Sequence, residues 1–455
     1  MGKLCILGAP NVVATVPGGL YTLGYGEISA GSAASGLPVS NLQTEGPSDL
    51  WRTATRPWPL DCWVGWGATS AAWPEPYIDA VGVVNHNLSR AGLARITRGA
   101  SAPEEIVPDA IAASTNLTGA VTAIDEGKVP GGDWLTPTVS GTAWSLRVTF
   151  PTPAAPPVGT QFFTAYLKRH LASPDSNKVV QVTASLYEGG VLVRALGTKY
   201  VRDSTGQWLV WSWSASELGT ANGSAVEMKL DSAGVKDADL DSIVWACEET
   251  APTQYDSGWF QPAPDIGTTA WGGLKVLDAP PAQSFVALDD AATSTGQIRA
   301  WLVDDWAPTD ADGTKEIIPN PTNYVQAGVL VAGVAFRPSI NVDWGPMLGA
   351  RDLSDKATTD GGQSYGVRRP VLRTLTVPLS WLTQDEAHAL FDRLVLRRGM
   401  LAPVLISWDP EDSTEKVLTT FWATLTSAPT MEAISSFFST GKSARRLAFV
   451  FEEYL

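Results

Sequence analysis

The sequence has few cysteines, few histidines and little basic charge, and each shortage excludes a class of protein. Among its 455 residues are three cysteines and three histidines. Cys5, Cys62 and Cys247 are scattered without any C-x-x-C spacing, which excludes a disulfide framework and a zinc site. We therefore predict that they are small buried apolar residues of a protein made in a reducing cytosol.

Charge and hydropathy exclude two further classes. The formal net charge of −15 excludes a general nucleic-acid binder, because phosphate binding needs a basic surface. No apolar stretch is long enough to cross a bilayer, so we predict no membrane insertion. Charge is also uneven along the chain. Residues 351–455 carry 12 basic and 13 acidic side chains, whereas the preceding residues carry 20 and 34.

Catalytic signatures are missing as well. His86, His170 and His388 lie far apart in the sequence, and neither H-E-x-x-H nor G-x-S-x-G occurs. A glycoside hydrolase needs two carboxyl groups across a cleft, and neighbours such as Asp304 and Asp305 point to opposite sides of a strand. We therefore predict that the protein is not an enzyme, and a glycoside hydrolase is the least favoured alternative.

What the sequence does have is typical of β-structure. It contains 42 glycines and 32 prolines, only 17% charged residues, and a 44% apolar fraction that is spread evenly. This composition favours a β-rich chain with many turns, and its length is enough for two to four domains.

The clearest strands lie in residues 105–255. Trp144, Leu146, Val148 and Phe150 alternate with polar residues, as in a half-buried antiparallel strand. A second alternating strand begins at Val180, and Glu188-Gly189-Gly190 then predicts a hairpin turn before residues 191–196. Six or seven such strands predict a sandwich or jelly roll, and this segment resembles the jelly rolls of carbohydrate-binding modules.

The last part of the chain has a different pattern. Thr383 and Glu386 form a predicted capping box, and an amphipathic helix follows that ends at Arg397, Arg398 and Gly399. Strands predicted at residues 402–408, 417–425 and 446–451 complete a small α+β unit with one helix on an antiparallel sheet.

Three phrases resemble the opening half of a discoidin-like (coagulation factor 5/8 C-type) β-sandwich. They are residues 37–42, 49–53 and 77–88, and residues 298–303 and 324–333 resemble the closing strands of that family. The prediction is a mainly β fold with two β-sandwich or jelly-roll domains, one inserted in the other, and a small C-terminal α+β domain. The discoidin-like sandwich would comprise residues 1–104 and 256–345, the insert residues 105–255, and the C-terminal domain residues 346–455.

Tryptophan is the main candidate for ligand contact, since the C–H face of a sugar packs on indole. Within the insert, Trp208, Trp211 and Trp213 are candidates for a stacking platform, although tryptophans in sandwiches more often fill the core. Trp51, Arg52, Trp58 and Trp63 lie near the loops where the resemblance places ligand binding. Asp310 and Asp312 alternate as in oxygen-rich calcium loops, so a structural calcium ion is the one cofactor considered.

The order of parts resembles virion structural proteins of tailed bacteriophages, of the distal-tail or minor tail protein type. This resemblance implies synthesis in the host bacterial cytoplasm, a place at the tail tip or baseplate, and a homo-oligomeric ring or collar that contacts other tail proteins. Contact with host cell-surface polysaccharide would be an accessory role or, in the alternative of a dedicated adhesin, the main one. The predicted interface arginines are Arg368, Arg369, Arg373, Arg397 and Arg398.

Overall fold

A computed structural model describes most of the chain. The described residues are 4–8, 11, 13–14, 26–55, 57–68, 78–89, 92–98, 104–118, 134–138, 143–153, 157–169, 180–201, 206–218, 225–232, 238–247, 255–262, 283–288, 298–304, 322–340, 346–358, 362–410, 418–434 and 444–455. The fold is mainly β, which confirms the predicted fold class. Within these residues no helix is long and apolar enough to cross a membrane.

The first sandwich combines strands from both ends of the predicted split domain. Its five-stranded antiparallel sheet contains, in spatial order, Tyr255–Asp256, Leu93–Arg98, Ile298–Val303, Trp63–Ala68 and Gly26–Ala30. The facing sheet contains Gln283–Leu288, Ala80–His86 and Val329–Gly333, and a short pair joins Trp51–Arg52 to Gln326–Ala327. Two 3₁₀ turns, Val39–Gln43 and Pro59–Asp61, connect strands at one end.

The strand that contains Val81 and Val83 is central to this arrangement. Val81 pairs with Ala332 and Val83 with Leu330, while Gln283–Leu288 lies along its other edge. Residues that are more than two hundred positions apart therefore share one sheet. This is the pairing that the split-sandwich hypothesis requires, and the domain boundaries themselves stay a prediction.

The inserted sandwich has an open outer sheet and an enclosed inner sheet. The outer sheet contains Val191–Val201, Val180–Glu188, Val226–Ser232, Ser145–Phe150 and Ala110–Thr115, and the inner sheet contains Gln207–Ser214, Thr160–Arg169, Ala238–Cys247 and Glu104–Ile106. Two smaller elements are the pair Leu117–Thr118 with Thr136–Pro137 and the 3₁₀ turn Ala215–Glu217. The outer sheet shows the predicted alternation, and Gly189 and Gly190 adopt positive φ in the predicted hairpin turn.

The terminal unit is an antiparallel sheet with a helix packed against it. In spatial order its strands are Cys5–Leu7, Val404–Ser407, Phe421–Leu425, Arg445–Glu453, Val371–Leu382 and Met347–Asp352, and Glu432–Ala433 also pairs with Arg445–Glu453. A separate hairpin, in which Asp355–Thr358 pairs with Ser364–Val367, follows the edge strand Met347–Asp352. We call residues 347–367 the arm.

The N-terminal strand corrects the predicted organisation. Cys5–Leu7 pairs with Val404–Ser407 in the terminal sheet rather than with the first sandwich. Ile6 also exchanges two backbone hydrogen bonds with Phe336, at 3.1 and 2.8 Å. A three-residue apolar strand carries no pattern that names its partner, so pairing with either unit was equally consistent with the sequence.

The helix begins with the predicted capping box. The Thr383 hydroxyl accepts from the backbone N–H of Glu386, and the Glu386 carboxylate accepts from the backbone N–H of Thr383 at 2.9 Å. The α-helix runs over Gln384–Leu390 and continues as a π-helix over Phe391–Arg398. Gly399 ends it with a φ of 69°, which a residue without Cβ adopts easily.

Two sheets are buried on both faces: the three-stranded sheet of the first sandwich and the inner sheet of the insert. These shared faces join the three units. One face of the three-stranded sheet packs into the first sandwich, and its other face meets Leu405 and Trp422 of the terminal sheet. The inner sheet of the insert likewise sends Phe162 and Trp208 into the core of the first sandwich. Cys5, Cys62 and Cys247 are buried and unbridged, as predicted, and burial raises the pKa of the Cys5 thiol to about 12.

The close approach at Gly82 generates a prediction. A Cβ on Gly82 would overlap the Leu405 side chain and lie 3.0 Å from the Phe285 carbonyl. We expect Gly82→Ala to lower the free energy of unfolding by about 1–3 kcal/mol because of overpacking. Gly366→Ala, on the exposed hairpin, is the matched control in chemical denaturation. Equal stability of the two variants would contradict a tight contact between these sheets.

His86 generates a second prediction. It is 3% exposed, its Nδ1 accepts from the Leu88 N–H at 3.3 Å, and burial lowers its pKa to about 3. The unfolded chain takes up this proton near pH 6.5, so stability should fall as pH drops from there toward 3, by about 1.4 kcal/mol per pH unit. His86→Asn keeps an acceptor but does not titrate, so its stability should depend less on pH. His388→Asn, at an exposed position, should behave like the wild type.

Candidate functional site

The three tryptophans of the insert do not form a ligand platform. Trp208, Trp211 and Trp213 are 1–2% exposed. Trp208 points toward the first sandwich, whereas Trp211 and Trp213 point into the core of the insert, since residues of unlike parity lie on opposite faces of a strand. The stacking hypothesis for these residues is therefore wrong. They fill the cores, which was the alternative interpretation of the sequence.

Trp51 and Trp58 are also structural residues. Their exposures are 0% and 5%, which corrects the prediction that they contact a ligand. The Trp51 indole donates to the Ser32 carbonyl at 3.0 Å. The Trp58 indole donates to the Thr164 hydroxyl at 3.1 Å, and that hydroxyl donates to the Val244 carbonyl at 3.1 Å. Trp58 thus joins the two sandwiches, a role that no local pattern indicates.

Trp63 is half-buried, and Arg52 is the predicted ligand residue that lies among polar groups at a partly open surface. Its guanidinium carbon lies 4.0 Å from the ring centroid of Tyr324. The Asn87 amide beside it donates to the Thr322 hydroxyl at 3.0 Å and to the Tyr324 carbonyl at 2.9 Å. Nearby Asn323 adopts a φ of 57°. This cluster combines an aromatic ring with amide, hydroxyl and guanidinium groups, which are the groups that bind polar ligands such as sugars.

The predicted interface arginines fall into two groups. Arg368, Arg369 and Arg397 are exposed, and Arg369 pairs with Asp355 across the hairpin at 2.5 Å. Arg373 instead pairs with Glu453 and packs over Phe421, while Arg398 pairs with Glu45 of the first sandwich. The structure therefore corrects the prediction for Arg373 and Arg398, because both side chains are largely buried by their contacts within the chain, whereas Arg369 and Arg397 stay open to solvent although each also pairs with an acidic residue.

The metal prediction concerns two carboxylates that alternate in the sequence. Asp310 and Asp312 lie outside the described residues. Among the residues that the structure does describe, no group of three histidine, cysteine or acidic side chains is placed to hold a metal ion.

The exposed apolar side chains were not found from the sequence. Fifteen large hydrophobic residues are exposed in the described parts of the chain, and twelve of them lie in residues 346–455. They include Met347, Tyr365 and Val367 on the arm and Leu396 and Leu401 at the end of the helix. Their signal in the sequence is weak, because an apolar residue on an edge strand resembles one in the core.

Comparisons with known proteins give no family. No protein-family model matches the sequence, and no curated protein matches it. Among solved structures, the CBM22-1 xylan-binding domain from Paenibacillus barcinonensis Xyn10C is 16% identical, with a TM-score of 0.21, over 34% of this chain and 94% of that one. TmCBM27, a carbohydrate-binding module studied for specific mannan recognition, is 11% identical, with a TM-score of 0.20, over 31% of this chain and 95% of that one. Likenesses this small support no inference about ligands.

The burial of Trp211 generates a prediction. Its ring stacks on Phe163 at a centroid distance of 5.6 Å, and its indole donates to the Gly197 carbonyl at 3.2 Å. We expect Trp211→Ala to lower the free energy of unfolding by about 3–5 kcal/mol through the cavity it leaves. Tyr365→Ala, at a 59% exposed position, is the control and should change stability little. A Trp211→Ala variant of wild-type stability would revive the stacking platform.

Proposed function

We propose that this chain is a non-enzymatic structural component of a bacteriophage tail tip or baseplate, where copies assemble through residues 346–455. The observation that carries the proposal is the concentration of exposed apolar side chains there, twelve of fifteen in the described residues. Contiguous apolar surface that is open to water marks an interaction site or an aggregation liability. Neighbouring copies that cover the terminal unit would remove this apolar surface from water.

Charge supports the same arrangement. Residues 351–455 are nearly neutral, with 12 basic and 13 acidic side chains, so that terminal units do not repel one another. The rest of the chain carries 20 basic and 34 acidic side chains. Because like charges repel, the sandwiches would point away from one another and from the centre of an assembly.

Seven of these twelve exposed apolar residues lie in two separate parts of the terminal unit. The arm leaves the terminal sheet at the Met347–Asp352 edge. The second surface, called the turn below, combines Leu396 in the last part of the helix with Met400 and Leu401 directly after it, and the chain then leads into Val404–Ser407 near the opposite edge. Unlike surfaces on opposite sides suit head-to-tail contacts, which close into rings when the rotation allows it. A ring or collar of copies is consistent with the order of parts that resembles tail proteins.

The virion context rests on that resemblance of phrases and order. It supports synthesis in the host bacterial cytoplasm, incorporation at the tail tip, and contacts with other tail proteins. A second candidate function, a dedicated adhesin for host polysaccharide, is favoured by the Arg52 and Tyr324 cluster. Position in a particle and binding to immobilised glycans would separate the two functions.

Mixing two variants tests the proposal. Tyr365→Ser with Val367→Glu damages the arm, and Leu396→Glu with Leu401→Glu damages the turn. All four side chains are at least 59% exposed, so the variants should fold. In sedimentation velocity we expect oligomers for the wild type and monomers for each variant alone. A mixture should give one-to-one dimers, since one intact arm can bind one intact turn.

Other outcomes are equally informative. Val191→Glu, at a 70% exposed position on the insert, is the control and should assemble like the wild type. A wild type that stays monomeric at all concentrations would contradict assembly through this unit. Dimers formed by the turn variant alone would indicate arm-to-arm pairing instead of head-to-tail contacts.

A further inference from the structure

The cation–aromatic contact between Arg52 and Tyr324 differs from others in the chain. Four further basic side chains pack over aromatic rings and also pair with a carboxylate, namely Arg95, Arg147, Lys168 and Arg373. Arg52 packs over Tyr324 but forms no ion pair with any residue that the structure describes. Its positive charge is therefore stabilised by the ring alone within the described chain.

A polar side chain lies directly opposite Arg52. Arg52 pairs with Gln326 in the short two-stranded pair, and Trp51 pairs with Ala327 beside them. Trp51 and Ala327 are buried, so the alternation along each strand places Arg52 and Gln326 together on the outer face. Directly opposite residues on antiparallel strands have Cβ atoms about 4.5–5.5 Å apart. One ligand can therefore contact both side chains.

The terminal nitrogens of Arg52 are its accessible donors. The Arg52 Nε is buried and has no hydrogen-bond partner. The two terminal nitrogens also lack a partner in the described part of the chain, but unlike Nε they are not closed off from solvent. The side-chain amide of Gln326 is half-buried and likewise makes no hydrogen bond to a described residue. Two parallel N–H groups and one amide are thus open to a ligand.

The backbone around these groups is held in place by Asn87. Its side-chain oxygen accepts from the Gln326 N–H at 2.8 Å, and its amide donates to the Tyr324 carbonyl at 2.9 Å. On the facing strand, the Thr53 hydroxyl accepts from the Val325 N–H at 3.1 Å. Because these bonds fix both strands before a ligand arrives, less conformational entropy is lost on binding.

The chemistry of the pair selects a ligand class. The planar guanidinium of an arginine binds the two coplanar oxygens of a carboxylate through parallel N–H donors. A glutamine amide both donates and accepts, which suits a hydroxyl group. A sugar acid carries a carboxylate on a ring that also carries hydroxyls, so one residue of it supplies both partners.

We infer that Arg52 and Gln326 bind a sugar acid of a polysaccharide, Arg52 through the carboxylate and Gln326 through a ring hydroxyl. This inference rests on the second candidate function, the adhesin, and names the chemical group that the adhesin recognises. Charge rather than stacking on a sugar ring carries the recognition, because the guanidinium already covers one face of Tyr324.

Calorimetry with the full chain and two probes tests this inference. The probes are the trimer of galacturonic acid and its methyl ester, which has the same rings and hydroxyls but no charge. We expect the wild type to bind the acid about tenfold or more tightly than the ester, since only the acid forms a charge-assisted pair. Arg52→Gln should weaken binding of the acid by a similar factor and abolish the preference for it.

Three further variants separate recognition from folding. Gln326→Ala keeps the guanidinium, so it should weaken both probes and preserve the preference for the acid. Arg52→Lys keeps the charge but loses the two parallel donors, and should give an intermediate preference. Arg147→Gln is the matched control, since Arg147 also packs on a tyrosine, 4.3 Å from the Tyr187 ring centroid, but pairs with Glu227. It should bind like the wild type.

Three outcomes would overturn the inference: no binding of the acid at millimolar concentration, equal binding of acid and ester by the wild type, or an unchanged preference in Arg52→Gln. Binding of both probes without a preference would leave the adhesin function standing while this inference fails. An absence of binding to any immobilised glycan would contradict the adhesin function as well. The sedimentation experiment reports on assembly separately from all of these results.

Discussion

The burial of two sheets on both faces is the constraint on which the rest of the structure depends. The three-stranded sheet of the first sandwich has one face in that sandwich and the other against the terminal sheet. The inner sheet of the insert has one face in its own core and the other against the first sandwich. Each unit therefore completes the core of its neighbour. At Gly82, where two sheets meet, the close approach of Leu405 leaves no room for a Cβ.

This constraint explains which elements could be predicted from the sequence. Strands with one solvent-exposed face, such as Ser145–Phe150 and Val180–Glu188, show strict alternation. Their sequences therefore predicted both the strands and which residues point into the core. The capping box at Thr383 was found because its signal is local. Gln207–Ser214 is buried almost throughout, so its sequence shows which residues share a face but not what covers either face. For that reason, the sequence does not distinguish tryptophans that fill the core from tryptophans that contact a ligand in this strand.

The candidate sites differ in the same way. Arg52 became a candidate because a resemblance of short phrases placed it near loops. The contact between Arg299 and Trp63 was not predicted, because the two residues are 236 positions apart and meet only through the register of neighbouring strands. Gly31 and Gly65, where a Cβ would crowd the Trp63 indole, carry no signal before that register is known. Chemistry that is built across strands is therefore harder to predict than chemistry that is built along one.

Assembly and ligand binding support each other physically. A small surface cluster such as Arg52 with Tyr324 offers few contacts, so each copy would bind a saccharide weakly. Copies that are joined through their terminal units would present many such surfaces at fixed spacing, because the shared cores hold the sandwiches to the terminal sheet. Linked sites raise the effective concentration for each further contact, and the combined affinity exceeds that of one site without any new interaction. In the proposed assembly, attachment to a surface would therefore depend on the number of contacts rather than on the strength of one contact.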